Sequence, residues 1–240
     1  MKRINATALK VVSTAQQPSR ADEVYSWLKD EISEFRLVPG DRFSEHAICN
    51  RLEVSRTPVR QALIRLQQEG LVEVMFRSGW RVLPFDFDRF DQLYELRMVL
   101  ETAAARRLCL QENAQSLPLL EALKARWLVP ASERDSDATR VATWDEEFHE
   151  TLVKATGNSE MTRVHSDVTE RIRIIRRLDF LKQVRIDATY EEHARILRAI
   201  LARKADRAEL LLRSHIQASQ VEVRKITLHQ VFLARQSGNQ

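Results

Sequence analysis

Ser55-Arg56-Thr57-Pro58-Val59-Arg60-Gln61-Ala62-Leu63-Ile64-Arg65-Leu66, closed by Glu69-Gly70-Leu71-Val72, is the stretch around which the chain reads most clearly. Ser55 or Thr57 can cap a helix start, Pro58 suits a first turn whose N–H groups lack partners, and Gly70 suits the left-handed residue just past a helix end. Val59, Ala62, Leu63 and Leu66 recur at helical spacing and give a face to bury. Arg56, Thr57, Arg60 and Gln61 gather on the first turns. An arginine fork reads guanine or holds phosphate, glutamine pairs with adenine, and a helix N-terminus favours anions. These residue types in this order predict a DNA-recognition helix.

Upstream, Glu45 to Leu52 forms a short amphipathic helix, and Glu53-Val54 supplies a tight turn, which is helix-turn-helix spacing. An ordinary surface helix with a solvated basic face shares that spacing, so the flanks matter. Downstream, Leu71–Met75 and Gly79–Leu83 are two runs able to form strands around the loop Phe76-Arg77-Ser78-Gly79. A two-stranded wing with Arg77 and Arg81 near its tip would sit beside the helix and reach a groove or the phosphate backbone.

Leu37-Val38-Pro39-Gly40-Asp41-Arg42-Phe43-Ser44-Glu45, followed by Val54-Ser55-Arg56-Thr57-Pro58-Val59-Arg60-Gln61-Ala62-Leu63, resembles the GntR family of bacterial transcription regulators. The resemblance implies an amino-terminal winged helix-turn-helix that binds operator DNA as part of a homodimer. It also implies DNA contacts from Arg56, Thr57, Arg60 and Gly79. Two positions depart from the pattern. Phe35 stands where a glycine is common, and His46 where some members place a DNA-contacting arginine.

The composition agrees with a mainly α protein: 240 residues hold only five Gly and six Pro, and 44% of them are hydrophobic. That content supplies a packed core and excludes disorder of the whole chain. The net charge of +4 lies mostly in residues 1–84, which carry 13 Lys and Arg against 10 Asp and Glu. So small an excess supports the motif through its placement and does not replace it. Cys49 and Cys109 lack metal-type spacing and read as reduced thiols in apolar surroundings. No apolar run is long enough to span a bilayer, and a signal-peptide core is absent, so no membrane association and a cytoplasmic location are expected.

Residues 1–19 read as a flexible tail, 20–84 as the winged helix-turn-helix, and 85–240 as an all-α domain, to which the family resemblance assigns effector binding and dimerisation. Within the last, six helices are expected, at about 88–111, 116–128, 138–156, 159–181, 186–203 and 206–232. Breaks at Pro130, Gly157-Asn158 and Asp206 delimit several of them.

Polar residues on the apolar faces of these helices carry the second functional signal. Asp145 and His149 lie amid the stripe Val141, Ala142, Phe148 and Leu152, while Glu146, Glu147, Glu150 and Lys154 face away. His193 lies among Ile186, Ile196 and Leu197, and His215 among Ala208, Leu211 and Leu212. A buried histidine alone is usually a core residue. A buried aspartate needs a partner, however, and Asp145 and His149 at i, i+4 share one face, as a bidentate helical metal motif requires. Three imidazoles and a carboxylate suit a divalent transition metal, Zn, Ni, Mn or Fe, without choosing among them. Arg97 occupies the centre of another stripe, with Phe90, Leu93, Leu100 and Ala104. Its partner is Glu101, an acid on another helix, or the carboxylate of an effector bridging Arg97 and the metal. Arg171, Arg173, Arg176 and Arg177 make a basic run that reads as a solvated face, with Arg173 the member placed to add to effector recognition.

Residues 88–232 resemble the FCD ligand-binding domain of the FadR-like branch of that family, in a six-helix form similar to its VanR-like subgroup. The resemblance implies the metal ligands Asp145, His149, His193 and His215, together with a small organic acid as effector near Arg97. His46, His165 and His229 receive no role. The expected protein is a one-component regulator whose operator affinity depends on the effector. Two other readings stand beside it: a direct metal sensor, and a metal-dependent hydrolase, for which no second carboxylate is placed as general base.

Overall fold

The structure, a computed structural model, describes residues 18–110, 116–176, 180 and 183–237. Helix α1 (Arg20–Ser33) starts at a capping box: the Asp22 N–H donates to the Ser19 hydroxyl at 3.2 Å, and the Ser19 N–H donates to the Asp22 carboxylate at 3.0 Å. Ser19 therefore belongs to the helix and not to the expected tail. The rest of that tail, apart from Pro18, falls outside the described residues, as does Arg177.

Helix α2 (Glu45–Leu52) is capped by Ser44 and ends at Glu53, whose φ of 53 makes the turn into α3 (Arg56–Gln68). Gly70, at φ 77, follows the end of α3 as its sequence predicts. Leu28 and Ile32 of α1 pack against Val59, Leu63 and Leu66 of α3, and all five are fully buried. The sheet has three strands, not the two expected. Strand β1 (Arg42–Phe43) pairs antiparallel with β3 (Gly79–Val82), which pairs antiparallel with β2 (Val72–Met75). Two residues between turns are too few to show the alternation of a strand, which is why β1 is invisible in the sequence.

Phe35 holds a left-handed backbone at φ 57. A side chain there costs about 1–2 kcal/mol relative to a right-handed residue. Its ring meets Phe85 edge-on at 5.9 Å, a contact the more common glycine lacks.

Among the described residues six α-helices follow: α4 (Phe87–Leu110), α5 (Ser116–Trp127), α6 (Ala138–Lys154), α7 (Ser159–Arg176), α8 (Gln183–Leu201) and α9 (Ala205–Ser237). Helix α4 is the middle of the bundle, packed on α6, α7, α8 and α9. Helix α7 also packs against α1, joining the bundle to the winged unit.

Candidate functional site

The recognition helix presents Arg56, Thr57 and Arg60 to solvent on its first turns, as the sequence predicts. Arg60 is held in place by Glu45 of α2, with its Nε 3.0 and 2.9 Å from the two carboxylate oxygens. Gly79 lies at the wing end beside β1: a Cβ there would stand 2.5 Å from the carbonyl oxygen of Phe43, and φ is 82. The glycine is thus required by the fold. Arg77, at φ 57, stacks over the ring of Phe76, which is exposed at the turn.

In the bundle, α6, α8 and α9 send Asp145, His149, His193 and His215 to one point, and all four side chains are buried. The facing donor atoms crowd together. His149 Nε2 lies 3.1 Å from His215 Nε2, and His193 Nε2 lies 3.4 Å from His215 Nε2 and 3.2 Å from Asp145 Oδ1. The outer nitrogens explain the orientation: His149 Nδ1–H donates to Glu101 at 2.5 Å, and His215 Nδ1–H donates to Glu192 at 2.6 Å. In the neutral ring this leaves Nε2 with a lone pair aimed inward. Lone pairs at these separations repel unless a cation lies between them. Asp145 Oδ1, though close to His193, has no hydrogen-bond partner. Metal–nitrogen bonds of about 2.0–2.1 Å place neighbouring donors about 3.0–3.4 Å apart, so this donor set fits a divalent transition metal. Phe148 stacks on His193 with ring centroids 3.8 Å apart, and Trp127 meets it edge-on, so aromatic packing fixes the third imidazole.

Burial pushes His193 well below the ordinary histidine range and His215 down to about 4, which keeps both rings neutral and so able to offer a lone pair. Burial alone would raise Asp145, but Arg176 and the imidazoles of His149 and His193 outweigh it and hold the carboxyl well below its usual range. Glu101 is likewise desolvated yet kept ionised by Arg97 and His149. It accepts from Arg97 Nε at 2.6 Å and His165 Nε2 at 2.9 Å besides His149. Carboxylates behind metal-facing imidazoles fix their orientation and raise their basicity.

The residue ranges agree with known sequence families. Residues 20–82 match the bacterial regulatory proteins, gntR family, and residues 92–218 match the FCD domain. The chain is 32% identical over 184 residues to the Nta operon transcriptional regulator of Aminobacter aminovorans, covering 76% of this chain and 84% of that one. The chain belongs to the GntR family. Another relative, BphR of Paraburkholderia xenovorans, an uncharacterised HTH-type transcriptional regulator, is 30% identical over 227 residues and 90% of each chain. A crystal structure from Rhodococcus sp. RHA1 of a GntR transcriptional regulator has the same fold, with a TM-score of 0.64 at 24% identity, covering 86% of this chain and 98% of that one. As a GntR protein the chain is a transcription regulator with a DNA-binding domain and an FCD effector domain, not an enzyme. Among the described residues no helix is long and apolar enough to cross a membrane.

Within this GntR chain the structure corrects three readings of the polar residues. Arg173 does not reach the histidine cluster: it chelates Glu146 on α6, with its Nε 2.8 and 2.9 Å from the two oxygens. The arginine that reaches the cluster is Arg176, buried and bonded to Asp145 Oδ2. His165, given no role, is buried on Glu101. Both were legible on α7, where His165, Val168, Ile172, Ile175 and Arg176 follow one helical stripe. The charge run drew attention away from that period. His46 and His229 are exposed.

Proposed function

We propose that this GntR regulator binds operator DNA as a homodimer, and that a carboxylate effector at a divalent metal, held by Asp145, His149, His193 and His215, controls that affinity. The domains are residues 20–84 and 85–240. The observation that carries the reading is the convergence of three imidazoles and one carboxylate in a buried centre, with carboxylates behind two of the rings. The metal would supply a Lewis-acidic point for an effector carboxylate. Arg97 supports an anionic effector: it is completely buried, and both terminal nitrogens lack a hydrogen-bond partner. Arg176 Nη1 is in the same condition. Buried guanidinium groups left partly unpaired favour an anion between them.

Arg56, Thr57, Arg60 and Gly79 are the proposed DNA contacts. Arg60 must exchange Glu45 for phosphate or a base edge, which an exposed ion pair allows at little cost. Leu96 and Val99 of α4 and Leu210 and Val221 of α9 are exposed apolar residues on two helices packed side by side, a surface suited to a second copy.

Duplexes selected from a random pool on the purified protein test the reading. Titrating the selected duplex against citrate, succinate and acetate, with and without Zn²⁺, should show operator affinity shifting with acid only when metal is present. A shift with Zn²⁺ that no acid changes further would favour direct metal sensing. No shift under any combination would overturn effector control.

A further inference from the structure

Helix α7 carries Glu170, Arg173 and Arg176 at three-residue intervals, and each meets an oppositely charged or polar partner on another element. Arg176 holds Asp145 on α6, and Arg173 holds the adjacent Glu146. Glu170 accepts from Lys29 Nζ at 3.3 Å and from the Tyr25 hydroxyl at 3.2 Å, both on α1. On its other side, Tyr25 faces the recognition helix. Its hydroxyl lies 2.5 Å from Glu69, which ends α3, and the Arg65 guanidinium of α3 lies 3.9 Å from the centre of its ring. Lys29 also spans the two, 3.0 Å from Glu69.

One hydroxyl proton and one ammonium thus serve two carboxylates, Glu69 in the winged unit and Glu170 in the bundle. A phenol has a single proton to donate, so commitment to one carboxylate withdraws it from the other. At 2.5 Å the bond to Glu69 is the short one, so the 3.2 Å bond to Glu170 is the tie between the units that a change at Glu170 can release.

We propose that α7 couples the metal centre to the recognition helix through three contacts: Asp145 with Arg176, Glu146 with Arg173, and Glu170 with Lys29 and Tyr25. The inference rests on the metal reading above. The charge of Asp145 is what holds the buried Arg176. A divalent cation on the same carboxylate shares that charge and repels the guanidinium, which turns to the neighbouring acid, Glu146. Arg173, displaced from Glu146, draws on Glu170 beside it. Glu170 then loosens from Lys29 and Tyr25, which leaves the hydroxyl on its shorter bond to Glu69 alone. Metal occupancy therefore weakens the tie between bundle and wing. By linkage, cutting that tie strengthens metal binding.

The test uses full-length protein stripped with a chelator, and measures Zn²⁺ affinity by competition with a chelating indicator in wild type, Glu170→Gln and Tyr25→Phe. Coupling of the usual size predicts Zn²⁺ binding at least about fivefold tighter in both variants. Zn²⁺ should also speed hydrogen exchange across α1 of the wild type. The sign discriminates, because removing the Glu170 charge by itself disfavours a cation, and Tyr25→Phe changes no charge and keeps the ring. Equal affinity in all three proteins, or weaker binding in Glu170→Gln with Tyr25→Phe unchanged, overturns the coupling while leaving the metal site standing. Failure of the wild type to take up Zn²⁺ removes the metal reading and the coupling with it.

Discussion

Gly79 sits in the left-handed region with the Phe43 carbonyl oxygen where a Cβ would point. Gly79→Ala should therefore lower stability by about 1–3 kcal/mol in urea unfolding, whether or not DNA is present. That outcome separates its structural role from any contact with DNA. Arg60 is the opposite case, an exposed side chain whose ion pair with Glu45 is worth little to the fold. Arg60→Ala should leave the melting temperature nearly unchanged and weaken binding to a selected operator by about 1–3 kcal/mol, read by fluorescence anisotropy. The limits of the recognition helix were readable because a first-turn proline and a terminal glycine obey local rules; Ser55 does stand at the N-cap, but its side chain makes no capping hydrogen bond. The clash at Gly79 was not readable, because it involves β1, a strand with no signature of its own.

At the scale of helices, the bundle is organised by polar groups on apolar stripes. Glu101 of α4 is the hub, accepting from Arg97 of its own helix, His149 of α6 and His165 of α7 in full burial. Glu101→Ala leaves the Arg97 guanidinium buried without a counter-charge, and metal-free protein should lose about 3–5 kcal/mol in stability by thermal unfolding. Metal affinity should fall about 10- to 100-fold in the same variant, because His149 loses the carboxylate that orients it. Four inward groups of this centre were legible from i, i+4 spacing on α6 and from single histidines amid apolar residues on α8 and α9. Glu101 was legible only as one possible partner for Arg97, since a sequence does not show which helices face one another. Arg176 and Arg173 illustrate the same limit. The two arginines share a run, but the fold puts one on Asp145 and the other on Glu146.

In the whole molecule, the winged unit and the bundle meet where α1 packs on α7, so events at the metal centre have a short physical route to the recognition helix. Operator binding built on Arg56 and Arg60 should fall steeply with added salt as phosphate contacts release counterions. An effector that weakens operator binding must itself bind less tightly to the DNA-bound form, a reciprocity accessible by titrating the acid with and without the selected duplex. The proposed effector control depends on the centre formed by Asp145, His149, His193 and His215. The most direct measurement is the metal content of protein dialysed mildly enough to spare a coordinated ion, in wild type and in His193→Ala. About one ion per chain, lost in the variant, is the result the geometry predicts. Wild-type protein that holds no metal, even after reconstitution with Zn²⁺, Ni²⁺ or Mn²⁺, would contradict it and leave the three histidines as core residues.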